Sequence, residues 1–173
     1  MKTWMLILYL CIIMQRLIEL VIAKSNENWM KERGGIETGQ EHYKWFVIVH
    51  CLFFVAIYLE AWLFGREDFS VNYILLSIFL LTQFLRAWCI VSLGRFWNTK
   101  IIVLPRVALI RKGPYKYVKH PNYIIVGIEL LVIPLLFGAY LTAVIFPIIH
   151  LVLLKIRIPN EEKALRMSYD VQR

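Results

Sequence analysis

The amino-acid pattern dictates an all-α integral membrane protein with five transmembrane helices, the last two forming a helical hairpin. Hydrophobic residues make up 60% of the chain and the mean hydropathy is +0.61, far above that of a water-soluble domain. Apolar runs close to the ~20 residues that a bilayer core demands recur along the sequence. Basic side chains gather in the connections between those runs, as expected of segments facing the anionic cytoplasmic leaflet. The 173 residues are therefore read as one domain, so any chemistry must use groups at or inside the bilayer.

The net charge of +8 rests on 20 Lys and Arg dispersed over short connections, which argues for lipid headgroups and against nucleic acid. Cys11, Cys51 and Cys89 all fall within apolar runs without CxxC or Cys/His spacing, so no disulfide framework or metal site is expected.

The first span covers about 3–23. It lacks an A-x-A cleavage site and reads as a retained helix, not a signal peptide. Gln15, Arg16 and Glu19 interrupt its end; Arg16 and Glu19 share a helical face and form either an interfacial ion pair or part of a cavity wall. Residues 24–44, punctuated by Gly34, Gly35 and Gly39, read as a water-facing loop with about one helical turn, either a solvated connector or a lid. His42 and His50 have no third ligand nearby, which again speaks against a metal.

The second and third spans, about 45–64 and 71–93, are antiparallel helices joined by the GREDFS turn. Glu60 and Arg66 lie beside that turn and need no special partner. Arg86 lies about two turns inside its span, where an unpaired guanidinium is costly, so it requires an acid, a carbonyl or an anionic ligand.

Residues 94–121 hold Arg95, Lys100, Arg106, Arg111, Lys112, Lys116 and Lys119 and no acid, which sets that segment inside. Lys24, Lys31, Arg33 and Lys44, with Lys155, Arg157, Lys163, Arg166 and Arg173 of the tail, join them if the chain crosses five times with its N-terminus outside. Only Lys2 and Arg66 then lie outside. The apolar stretch 122–154 would be about 50 Å long as a single helix against a ~30 Å core, so it must turn back. Pro134 and Gly138 give the turn, leaving short arms at 122–137 and 139–154. Glu129 lies in the first arm and His150 in the second.

The hairpin brings GPYKYVKHPNY (113–123) and KIRIPNEEKAL (155–165) to one membrane face. In the first segment Tyr115, Tyr117 and Tyr123 offer stacking faces for a nucleoside, and His120 with its lysine neighbours suits a carboxylate or phosphate. In the second, Arg157 and Glu161 share a helical face if Pro159 opens a helix as its first-turn proline, with Glu162 beside them. An interfacial charge cluster without chemistry remains the other reading of both.

GPYKYVKHPNY, Glu129 and RIPNEEKAL together resemble the isoprenylcysteine carboxyl methyltransferase family and its small prokaryotic relatives, over about the last 65 residues. The resemblance implies a cytoplasmic pocket for S-adenosylmethionine, with a lipid-like substrate arriving from the bilayer of a bacterial plasma membrane. It implies that His120, Pro121 and Tyr123 hold the cofactor, that Tyr117 and Val118 line its pocket, and that Glu162 supports it. Arg157 and Glu161 match the family's reacting centre, where Arg157 pairs with the acceptor's carboxylate or enolate. Lys119 replaces the family's usual Arg, and the tail stops eleven residues after Glu162. QRLIEL and the loop leading to HYK resemble a bacterial branch acting on alkylpyrone-type lipids. The expected activity is O-methylation of an amphipathic lipid with an acidic oxygen. Membrane sterol reductases, which use NADPH and carry a similar HPNY and EE pattern, and a non-catalytic scaffold are the alternatives.

Overall fold

The computed structural model describes residues 3–64, 71–105, 107 and 110–170. The GREDFS turn with Arg66, and Lys2, Arg106 and Arg173, lie outside the described residues. Five helices carry the chain: α1 (Thr3–Lys31), α2 (Gln40–Leu63), α3 (Tyr73–Leu93), α4 (Pro121–Leu136) and α5 (Tyr140–Asp170). Four are long and apolar enough to cross a bilayer and α4, of 16 residues, is shorter, so the protein is a multi-pass membrane protein.

Two expectations about where helices begin and end need correction. The first polar connection is not mostly loop: α1 runs on to Lys31 because its polar end finds partners. Asn26, buried, donates through Nδ2 to the Trp97 carbonyl at 2.7 Å and to that of Gly94 at 3.2 Å, tying the helix to the short 3-10 turn Gly94–Phe96. That extension sets β1 (Ile36–Thr38) antiparallel to β2 (Ile101–Val103), with Glu37 opposite Ile102. A three-residue ribbon thus accompanies the helices, and we call its side of the molecule the ribbon end.

The second correction concerns Pro159, which does not open a helix. It lies inside α5, as does Pro147. A proline removes one backbone hydrogen bond and crowds the preceding turn, but α5 is held on both sides of Pro159 by side-chain contacts of Arg157 and Glu161, and Asn160 Nδ2 donates to the Ile156 carbonyl at 3.0 Å.

The core joins Met5, Tyr9 and Ile12 of α1, Phe53 and Ile57 of α2, Phe79 of α3, and Leu130, Ile133 and Leu136 of α4. Lipid is as apolar as these side chains, so close packing and internal polar bonds, more than water exclusion, hold the helices together. Tyr9 Oη, for example, donates to the Phe54 carbonyl at 2.9 Å. Large apolar residues such as Val21, Ile74 and Val91 point outward, as lipid-facing positions should. The chain reverses between α4 and α5 at 137–139. Gly138 adopts φ 71°, and the amides of Phe137, Gly138 and Ala139 donate to the carbonyls of Pro134, Leu135 and Pro134. Glu60, read as needing no special partner, has one: it caps the N-terminal end of α5, its carboxylate accepting from the amides of Leu141 at 2.8 Å and Thr142 at 2.9 Å, and from Thr142 Oγ1 at 2.7 Å.

Candidate functional site

His120 is the residue preceding α4, and the fixed φ of Pro121 starts the helix immediately after it. One turn on, Tyr123 faces α5. Its hydroxyl donates to Glu161 Oε2 and accepts from Arg157 Nε at 2.7 Å. Arg157 is buried and also donates from Nη2 to the Thr99 carbonyl at 2.5 Å, with its guanidinium 4.8 Å from the centre of the Phe46 ring. The His120 ring stacks on Tyr123 at 5.5 Å; its Nδ1 is 3.8 Å from Glu161 Oε1 and its Nε2 3.5 Å from Glu162 Oε1. Lys119 and Arg166 each approach Glu162 at 3.9 Å. His120, Tyr123, Arg157, Glu161 and Glu162 are therefore one cluster. Pro121 is buried behind it, while Tyr117 and Val118 are exposed and do not face the cavity described next.

The cluster opens onto a cavity of about 930 Å³ that runs from the ribbon end to Ile13 and Leu17 of α1 and Cys51 of α2. Among the described residues, the buried side-chain atoms without a hydrogen-bond partner are Thr38 Oγ1, Trp97 Nε1, His120 Nε2, Asn122 Oδ1 and His150 Nδ1; all but Thr38 belong to the cavity wall. Buried polar atoms are nearly always paired, so the gathering of four unpaired ones here leaves polar capacity that a ligand could meet. Tyr115 also lines it. Burial, and then the neighbouring Cys89 thiol, push its hydroxyl well above the ordinary range, so it stays neutral. Among the described residues no three His, Cys, Asp or Glu side chains are placed to hold a metal ion.

Deeper in the wall lies a second cluster. Arg86 donates to Glu129 through Nε at 3.1 Å and through Nη2, and to Glu19 Oε2 through Nη1 at 3.1 Å. Arg16 reaches Glu19 Oε2 at 2.8 Å and Glu129 Oε1 at 2.9 Å. Gln83 donates to Glu129 Oε1 at 2.8 Å and accepts from Gln15 at 2.6 Å. The partner that Arg86 requires is thus Glu129 with Glu19, and Arg16 and Glu19 are both an ion pair and part of the cavity wall.

The family model for the isoprenylcysteine carboxyl methyltransferase (ICMT) family matches residues 74–167, just over half of the chain and the whole α3 to α5 portion of both clusters. The chain belongs to the ICMT family. This ICMT-family chain is 44% identical over 169 residues to the uncharacterized protein YpbQ of Bacillus subtilis strain 168, covering 98% of this chain and 99% of the relative. It is 31% identical over 163 residues to an uncharacterized protein of Haemophilus influenzae strain Rd, with 92% and 93% covered. No solved structure matches it significantly. ICMT membership implies a membrane methyltransferase.

Sequence reasoning missed Thr99, Phe46, Asn122 and the wall position of His150. Thr99 acts through its carbonyl, which every residue has, so no side-chain signal marks it. Its position is set by its neighbours: Tyr43 Oη lies 3.1 Å from Thr99 Oγ1, and Lys100 Nζ is 2.9 Å from Glu27 and 3.2 Å from Glu37. Lys31 bonds the same two acids at 2.6 Å each. Burial pushes the Glu37 carboxyl up, but the hydrogen bonds from Lys31 and Lys100 outweigh it and hold the group below the usual carboxylate range.

Proposed function

We propose that the protein is an S-adenosylmethionine-dependent O-methyltransferase that acts on an amphipathic lipid bearing an acidic oxygen. The observation that carries the reading is the meeting of His120 and Tyr123 with Arg157, Glu161 and Glu162 at the polar mouth of a cavity whose other end is walled mostly by apolar side chains of α1 and α2, with the charges of Arg16 and Glu19 paired among them. A soluble, charged cofactor and a lipid need such a space, wet at one end and greasy at the other.

The residues present fit the cofactor. His120 Nε2 and Asn122 Oδ1 are buried and unsatisfied at the mouth, and Glu161 and Glu162 add negative charge that would suit a ligand carrying a sulfonium and an ammonium. When bound, S-adenosylmethionine supplies an electrophilic methyl group. His120, Asn122, Tyr123 and Glu162 would hold it. Arg157, fixed from two sides by Tyr123 and Thr99, would orient the acceptor's anionic oxygen, and Glu161 would in turn fix Tyr123. Methyl transfer neutralises charge, so alignment in a site shielded from water supplies most of the acceleration. In this reading the ribbon end is cytoplasmic, as its basic residues favour, and the membrane is a bacterial plasma membrane.

Isothermal titration of the purified protein with S-adenosylmethionine and with NADPH tests the cofactor. Binding of NADPH without S-adenosylmethionine would overturn the reading in favour of a reductase. Lipid mass spectrometry of cells with and without the gene then identifies the acceptor as a species that gains one CH₂. An unchanged lipid profile and a cellular effect that survives Arg157→Ala would favour a scaffold.

A further inference from the structure

His150 stands in the cavity wall with no part in the scheme above. It is 3% exposed, and its Nε2 lies 3.2 Å from the Tyr123 backbone oxygen. A carbonyl only accepts, so Nε2 carries the hydrogen and the lone pair of the neutral ring is at Nδ1. That atom is buried without a partner. None of the groups around it donates to it. Tyr123 and Gly127 of α4 present a carbonyl and a Cα, and a Cβ added at Gly127 would come 3.7 Å from His150 Cδ2, so the ring lies against α4 there. His50 of α2 holds its own Nδ1 2.7 Å from the Phe46 carbonyl, which leaves its second nitrogen also an acceptor. Arg157, on α5 with His150, is committed through Nε to Tyr123 and through Nη2 to Thr99. Seven residues separate His150 from Arg157, close to two helical turns, so both face the same side of α5.

We propose that His150 Nδ1 takes the proton of the methyl acceptor, and that the acceptor is accordingly an acidic hydroxyl, an enol or phenol, rather than a carboxylate. The inference rests on the methyltransferase reading and deepens it. The acceptor's O–H bond breaks and its proton goes to Nδ1. The electron pair left on oxygen forms the new C–O bond as the methyl's bond to sulfur breaks, with that pair remaining on sulfur. Both ring nitrogens of His150 then carry hydrogen, and Nε2–H keeps its bond to the Tyr123 carbonyl. A carboxylate is already ionised near neutrality, brings no proton and leaves Nδ1 unmet.

The test uses the full chain in detergent without cofactor, and a nitrophenol carrying a dodecyl chain as probe. At a pH one unit below the probe's own pKa in that detergent, wild type should raise the phenolate absorbance band on binding, and His150→Gln should lose that rise. Glutamine can still donate to the Tyr123 carbonyl but takes up no proton. A band that persists in His150→Gln, or that is lost only in His50→Gln, overturns the proposal. A second measurement needs no variant: wild type should bind 4-dodecylphenol at least about tenfold more tightly than 4-dodecylbenzoate, and equal or reversed affinity overturns it. Titration of wild type and His150→Gln with S-adenosylmethionine keeps the two readings apart. Cofactor binding with no phenolate band sinks His150 alone, whereas absent cofactor binding sinks the methyltransferase reading.

Discussion

The deep cluster and the mouth cluster are built from the same residue types, arginine and glutamate, and share one cavity, yet they are closed to different degrees. Arg16, Glu19, Arg86 and Glu129 balance two positive charges against two negative ones, and both arginines bridge both acids. At the mouth, Arg157 is fixed, but His120 and Asn122 keep unsatisfied atoms and Glu162 meets its nearest cations only at 3.9 Å. Charge that is fully paired inside a membrane holds helices in place; charge left partly unpaired beside water is available to a ligand. On the proposed function, the contrast gives architecture to one cluster and chemistry to the other.

Glu129→Ala breaks the contrast most severely. It leaves Arg16 and Arg86 with one acid between them in the bilayer, at a cost of about 3–5 kcal/mol. Thermal unfolding in detergent should show a much lower midpoint or no folded protein, and a midpoint close to wild type would mean that the deep cluster is not architectural.

Arg157→Ala should do the converse. Methyl transfer to the lipid acceptor should fall about 10²–10³-fold, the usual cost of losing one oriented donor at a reacting centre. Its unfolding midpoint should move far less than that of Glu129→Ala. If the two variants lose stability equally, the mouth is as structural as the deep cluster.

Glu60→Ala sharpens the comparison with a third carboxylate, one that accepts from backbone amides and not from arginines. Loss of this cap should cost about 1 kcal/mol in the same unfolding measurement while leaving cofactor titration at the opposite end of α5 unchanged.

The smallest effect concerns the ribbon. The Glu37 carboxyl titrates lower in the folded protein than in the unfolded chain, so the stability it contributes is present above the ordinary carboxylate pKa and is lost as pH falls through its depressed folded value. Protection factors at the amides of 36–38 and 101–103, taken relative to the intrinsic exchange rate at each pH, should therefore fall at acid pH in wild type and show less pH dependence in Glu37→Gln. An equal fall in both would remove Glu37 from the account.

What could be read from residues alone follows from how local each signal is. Pro134 and Gly138 mark the reversal because a missing amide and a left-handed backbone are properties of single residues. The need of Arg86 for an acid was legible for the same reason. Its choice of Glu129 was not, because 43 residues separate them and only the packing of α3 on α4 brings them together. Residues 24–31 read as loop because they are polar, yet Asn26 and Glu27 are buried against partners from the 94–100 segment that no local pattern announces. Pro159 misleads in the opposite sense: its local preference is to start a helix, and bonds made one turn to either side carry α5 through it.

One feature of α5 reaches beyond the site. At 31 residues it is about 46 Å long, some 15 Å more than a hydrocarbon core, and it is clasped by Glu60 at one extremity and bears Arg157 and Glu161 towards the other. The rod is thus pinned to α2 at one end while Arg157 and Glu161, the groups of the proposed chemistry, lie towards the other. Thicker or thinner lipid must tilt it, and turnover in vesicles of graded acyl length should pass through an optimum.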